Sequence, residues 1–210
     1  PDGRQLAWLD GAGAVWLAPL TLEAPTPLGA PRAALASPDQ RYASLAWSGA
    51  GEHLVLVGAG GASLSVMAIG DPAGQPVSLL QPGESLADAQ LGLSASQPDR
   101  VVALVRTPGR ARAELTAIDI ATGARQMVDR NRQGFSAFYL DGLNRPRLAR
   151  QYGPAGDALW RFDADARRWA PLLQMTPADS LLTKVAAVSA DGASALVFES
   201  VDRERAMLVS

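Results

Sequence analysis

Apolar residues in this chain come in short runs separated by polar turns, and the arrangement of runs repeats. Ser48, Ser94, Asp141 and Ser189 each close an apolar run just before a turn, and they stand 46, 47 and 48 residues apart. The run ending at each marker is YASLAWS (42–48), DAQLGLS (88–94), FSAFYLD (135–141) and KVAAVSA (184–190, one residue past its marker). Their lengths and partial alternation predict strands. After the turn comes a second run: QLAWL (5–9), HLVLVGA (53–59), RVVALVR (100–106), the weaker RLARQY (147–152) and ASALVFES (193–200). These runs are apolar at nearly every position, the pattern of a strand covered on both faces. Third runs follow as AVWLAPL, SLSVMAI, AELTAIDI, ALWRFDA and AMLVS; fourth runs, poorer in long apolar stretches, are PVSLLQ, RQMVDR and RWAPLLQ.

A period of roughly 40–50 residues carrying four short strands is the signature of a β-propeller blade. The expected fold is therefore all-β: a partial β-propeller of about four and a half four-stranded blades, drawn from a ring of six to eight. The whole chain, 1–210, forms one propeller segment. Its units are 1–38 (partial), 39–84, 85–133, 134–180 and 181–210 (partial). The opening Pro1-Asp2-Gly3 reads as a turn whose preceding strand is missing, so the polypeptide is expected to continue at both ends. Gly, Asn, Asp and Pro in the intervening turns supply positive or preset φ. Segments 85–93 and 178–188 have room for two turns of helix. With 20 Gly and 15 Pro, no stretch holds a helical period for long. Pro- and Ala-rich 23–38 and residues 70–76 read as linkers between blades.

Composition narrows the function. Apolar residues make up 48%, enough for a large core, and the net charge of −2 offers no footing for nucleic acid or a membrane surface. No apolar run reaches the length of a membrane span, and no signal peptide opens the chain. The absence of cysteine removes disulfides, thiolate metal sites and thiol catalysis. The cationic residues are arginines except for Lys184, and they cluster at Arg110/Arg112, Arg130/Arg132, Arg145/Arg147/Arg150, Arg167/Arg168 and Arg203/Arg205. Solvated turns account for such clusters; a rim that grips carboxylates or phosphates is the alternative. Trp8, Trp16 and Trp47 fall in strands, Trp160 and Trp169 beside a hairpin, where packing between blades accounts for them.

Candidate chemistry is sparse. A nucleophile elbow requires Gly-x-Ser-x-Gly, and the nearest segment, Gly134-Phe135-Ser136-Ala137-Phe138, lacks the second glycine and lies in a strand. A triad also requires a histidine; His53 is the single one, placed at the exit of a turn. Asp163 and Asp165 flank a turn with Arg167 and Arg168 to neutralise them. No catalytic, cofactor-binding or metal-ligating residue is assigned, and no cofactor is expected.

The segment Pro1-Asp2-Gly3-Arg4-Gln5-Leu6-Ala7-Trp8 resembles the turn that opens a second blade strand in several enzyme-borne propellers. Ala113-Glu114-Leu115-Thr116-Ala117-Ile118-Asp119-Ile120-Ala121-Thr122-Gly123 resembles the third strand and hairpin of the propeller in the prolyl oligopeptidase family of serine peptidases. Ser94 to Leu104, Gly134-Phe135 and Asp157 to Phe162 fit the same rhythm, closest to bacterial dipeptidyl- and acylaminoacyl-peptidase-like members. This resemblance implies a non-catalytic cap that gates and orients short peptides over a C-terminal α/β-hydrolase domain beyond Ser210. It also implies a bacterial protein of cytoplasm or periplasm. The acidic pair with which some relatives grip a free amino terminus has no counterpart: Glu199 and Glu204 sit in an ordinary strand and loop. A stand-alone binding or scaffold propeller of the periplasm, and a propeller of another enzyme or a purely structural repeat, are the competing readings.

Overall fold

The computed structural model describes residues 3–24, 27–35, 41–70, 74–201 and 207–209. Five antiparallel meanders follow one another along the chain. The first sheet is β1 (Gln5–Leu9), β2 (Val15–Pro19) and β3 (Arg32–Leu35). The second is β4 (Tyr42–Trp47), β5 (His53–Gly58), β6 (Leu64–Ala68) and β7 (Val77–Ser78). In the third, β8 (Ser85–Leu86) and β9 (Gly92–Ser94) both pair with β10 (Gln97–Arg106), which continues to β11 (Glu114–Asp119) and β12 (Arg125–Asp129). The fourth is β13 (Ala137–Leu140), β14 (Pro146–Gln151), β15 (Ala158–Asp163) and β16 (Arg168–Gln174). The fifth is β17 (Lys184–Val188), β18 (Ala195–Glu199) and β19 (Met207–Val209). A short α-helix, α1 (Pro177–Leu182), lies on the crossover between the fourth and fifth sheets.

The all-β, repeated-blade expectation is met, with local differences. Part of the supposed linker 23–38 is a strand: β3 completes the first sheet by pairing Trp16 with Ala33. The innermost strand of the third sheet is broken into β8 and β9 instead of running through 88–94, and the partner strand β10 begins at Gln97 within the expected turn. Helix occurs at 177–182 because Thr176 and Asp179 form a reciprocal capping box behind Pro177; the second helical candidate, 85–93, has none. The Pro1-Asp2 half of the opening turn and the Arg203/Arg205 cluster lie outside the described residues.

The sheets pack face to face, and the doubly apolar second strands explain how. Along β5, Leu54 and Leu56 pack with Val15, Leu17 and Met67 against the first sheet. Val55 and Val57, on the opposite face, join Leu64, Val66, Val101, Ala103, Val105 and Ile118 between the second and third sheets. Along β10, Val102 and Leu104 turn the other way to meet Phe138, Ala149 and Trp169 of the fourth sheet. A strand with period-two side chains, buried on both sides, needs apolar residues throughout. Each fully buried Leu or Val contributes about 2 kcal/mol by area. The end sheets have one covered face each. Leu6, Trp8 and Trp16 share the outer face of the first sheet, the two indoles stacked at 6.3 Å. Leu196, Phe198 and Leu208 share the outer face of the fifth, at 42%, 46% and 54% exposure.

The markers of the repeat have a common task. Ser48 Oγ accepts from His53 N, Ser189 Oγ from Ser194 N, and Asp141 Oδ1 from Leu143 N and Arg145 N. Each side chain thus closes the turn that follows an innermost strand. Three residues on, Gly51, Asn144 and Gly192 adopt positive φ of 77°, 57° and 74°, and their N–H groups donate back to Ser48, Asp141 and Ser189 carbonyls. The same turns join neighbouring sheets. Ser94 Oγ and Ser96 Oγ donate to Gly142 O, and Gly142 N donates to Ala190 O at 3.0 Å. A methyl on Gly49 would overlap the Ser94 carbonyl and stand 2.9 Å from Pro98 Cα.

Gly49→Ala is therefore expected to cost about 1–3 kcal/mol in denaturant unfolding. Gly11→Ala, whose methyl meets nothing within 4 Å, serves as the control and is expected to leave the midpoint near that of the parent. Equal midpoints for the two variants would contradict the close approach of the second and third sheets.

Candidate functional site

One grouping of ionisable side chains comprises Asp88 of the third sheet with Tyr139, Arg150 and Tyr152 of the fourth. Asp88 sits in the break between β8 and β9, half-buried, with Gln90 N donating to its carboxylate at 3.3 Å. Burial pushes its carboxyl up from the ordinary value, and bonds from the Gln90 and Ala89 N–H groups only partly oppose this. Tyr139, on β13, is pushed up mainly by burial, with Arg150 opposing and Asp88 and Tyr152 reinforcing. The Arg150 guanidinium lies 5.4 Å from the Tyr152 ring centre, and Tyr152 itself is 65% exposed. Asp88 also lines a slot of about 100 Å³ with Gly92, Leu104, Phe138 and Asn144. Here a carboxyl disfavoured as an anion, a phenol and a cation share one neighbourhood, suited to holding a polar ligand.

Arg150 and Asp157 fix one side of this cluster. Arg150 Nε donates to Asp157 Oδ2 at 2.8 Å, and its two terminal nitrogens donate to Thr183 O and Ser180 O at the end of α1. A cation at these unpaired carbonyls offsets the helix dipole and pins the crossover. The crossover into the third sheet is pinned in the same manner. Buried Glu84 accepts from Gln81 N, Thr107 Oγ1 and Arg125 Nη1, while Arg125 Nη2 donates to Leu79 O. Burial alone would raise Glu84, but Gln81 N–H, Arg125 and Thr107 outweigh it and hold the carboxyl below its usual range. On the crossover into the fourth sheet, buried Asn131 donates to Ala113 O and Phe135 O and accepts from Phe135 N.

The arginines divide. Arg145 and Arg147 both donate to Asp141 Oδ2, at 2.8 and 2.9 Å, and Asp141 has no exposed side-chain surface. Burial alone would raise the Asp141 carboxyl, but the Arg145 and Leu143 N–H groups and the two guanidiniums hold it low. Arg147 is mostly buried in this arrangement, while Arg145 keeps about half of its side chain in solvent and bonds the turn from outside. Arg110 remains largely exposed and pairs with Glu114. Asp163 accepts from Asp165 N and Ala166 N, and Arg167 has a φ of 50°, so this pair shapes a hairpin. Trp169 is buried among Phe135, Phe138 and Phe162 and donates to Asp129 Oδ2 at 3.1 Å. Ser136 Oγ donates to Arg150 O. His53 opens β5, with its backbone N bonded to Ser48 Oγ. Among the described residues no three His, Cys, Asp or Glu side chains gather as a metal site, and no helix is long and apolar enough to cross a membrane. Sequence reasoning missed Asp88, Tyr139, Glu84 and Arg125. The weak alternation of 85–93 was the available signal for Asp88.

No family model matches this chain, and no curated protein matches it in sequence. Solved structures do. TolB from Acinetobacter baumannii superposes with a TM-score of 0.57 over 99% of this chain and 53% of its own, at 12% identity. Puromycin hydrolase gives 0.56 over 94% of this chain and 32% of its own, at 18% identity. The tricorn protease gives 0.54 over 99% and 20%, at 13% identity. The chain spans about half or less of each of these proteins. At such identities the likeness establishes the fold, and the fold is a β-propeller built from successive four-stranded blades.

Two acid-base predictions follow from the buried carboxyls. Asp88, raised by burial, favours the folded state while protonated and loses that contribution as pH rises through its folded value. Asp88→Asn is expected to unfold later than the parent at pH 7, and the gap should close in acid; a less stable variant at pH 7 would contradict the burial of Asp88. Asp141 behaves oppositely, its contribution being present at neutral pH and lost as pH falls through its lowered value. Asp141→Ala should cost about 3 kcal/mol at pH 7, and less as pH falls through the lowered Asp141 value. Asp141→Ser, which supplies the hydroxyl used at the other three turns, should recover part of it.

Proposed function

We propose that this propeller segment is a non-catalytic cap of a serine exopeptidase or oligopeptidase. In this reading the blades belong to a ring of six to eight that restricts access to an α/β-hydrolase domain of the same polypeptide. Its substrates are short peptides, selected by size and held in orientation over the reacting serine. The observation that carries the reading is the family's strand-and-hairpin motif at 113–123. It coincides with β11, a turn in which Thr122 N and Oγ1 donate to Asp119 Oδ1, and the return into β12. The likeness to puromycin hydrolase and the tricorn protease, two hydrolytic proteins, supports it. So do the uncovered apolar faces of the first and fifth sheets, which further blades would bury. The polar cluster of Asp88, Tyr139 and Arg150 would then face the guarded space.

The likeness to TolB is equally compatible with a second reading, a stand-alone propeller that binds other proteins. Labelling the full natural polypeptide with a fluorophosphonate separates the two. The cap reading predicts one labelled serine outside residues 1–210 and hydrolysis of short peptide esters. A polypeptide with no labelled serine would overturn it in favour of the docking reading.

A further inference from the structure

Apolar clusters lie between the first and second, second and third, and third and fourth sheets. Between the fourth and fifth sheets lies an open cavity of about 540 Å³. Register fixes what faces it. Leu148 pairs with Arg161 and Leu159 with Leu173, so these four share one face of the fourth sheet. Val197 and Glu199, two apart on β18, share the opposing face of the fifth, and all six residues line the cavity. Its walls are mainly apolar, with Arg161 and Arg147 (the latter paired with Asp141) on the fourth sheet and Glu199 on the fifth. Arg161 makes no ion pair within 4.0 Å among the described residues. Glu199 has no hydrogen-bond or ion-pair partner among the described residues. Arg161 is exposed and Glu199 half-buried, so each is placed to meet an opposite charge that enters the cavity.

We propose that this cavity binds a zwitterion with an apolar body, the class of short apolar peptides with both termini free. Its carboxylate meets Arg161, its ammonium meets Glu199, and its side chains lie against the Leu148, Leu159, Leu173 and Val197 surface. The volume falls in the range of small-ligand sites, which are largely apolar with a few placed polar groups. An anionic amphiphile would leave Glu199 facing its apolar body, and an uncharged one would leave both charges unmatched. The site lies between two blades and not at the Asp88 cluster, so the inference stands whether or not a hydrolase domain accompanies the propeller.

Calorimetric titration of the protein with the dipeptide Leu-Leu tests it, alongside the N-acetylated and C-amidated forms. Saturable binding is expected for Leu-Leu, weakened about tenfold or more by either block. Arg161→Gln should erase the difference between Leu-Leu and its amide, and Glu199→Gln the difference between Leu-Leu and its acetyl form. Ala195→Leu, which fills the cavity, should weaken every form. Circular dichroism and the thermal midpoint verify that the variants remain folded. No saturable binding of Leu-Leu to the parent, equal binding of the blocked forms, or insensitivity to both charge variants would each overturn the proposal.

Discussion

Everything in this molecule depends on the close approach of neighbouring sheets at the turns that follow their innermost strands. Wedges that radiate from an axis are nearest to one another there, and side chains must shrink or bond accordingly. Glycine at 49 clears the Ser94 carbonyl, and glycine at 142 clears Ala190. The hydroxyls of Ser94 and Ser96 and the N–H of Gly142 turn that proximity into hydrogen bonds between sheets. Farther out the gap widens, and larger side chains fill it: Leu and Val in the second strands, then Phe135, Phe162, Trp160 and Trp169 between the third and fourth sheets. The gradient from glycine to tryptophan is the sequence's record of a wedge.

Local closure and inter-sheet packing are handled by different chemistry. Turns inside a blade are closed by single oxygens from Asp10, Ser48, Asp119, Asp141, Asp163 or Ser189, each accepting backbone N–H groups that would otherwise lack a partner. Crossovers between blades span a longer, less regular path and use buried groups with several bonds each: Glu84 with Arg125, Asn131, and Arg150 with Asp157. Breaking one partner of such a set leaves a buried charge exposed to an apolar surround, which is why these sites are more costly to alter than exposed ion pairs. Asp88 is an exception, a carboxyl placed in a half-dry position without a cation bonded to it. Glu199, half-buried on the fifth sheet, likewise has no bonded cation among the described residues.

The blade period was legible because it rests on residues with one physical job apiece. The 46-, 47- and 48-residue spacing marks side-chain caps of equivalent turns, and the doubly apolar runs 53–58 and 100–106 mark strands covered on both sides. β3 was not legible: in Arg32-Ala33-Ala34-Leu35 an outer strand with one buried leucine looks like the Pro- and Ala-rich linker around it. The break between β8 and β9 was hidden because Leu86, Leu91 and Leu93 give 85–93 an apolar content that suits strand or helix. The arginine cluster at 145–150 looked like surface because partners such as Asp141 and Asp157 are single acids four to seven residues away, a separation meaningful only once the hairpin is closed. The cavity between the fourth and fifth sheets depends on which faces meet, and no local pattern carries that.

Amide hydrogen exchange at Gly142 tests the packing of wedges most directly, because its N–H donates to Ala190 O of the next sheet rather than to its own. The account predicts exchange slowed far below the unfolded-chain rate, in step with amides of β10 and β14. Exchange of Gly142 at the free rate, while amides inside each sheet stay protected, would show five sheets that fold without the inter-sheet contact and would contradict the account.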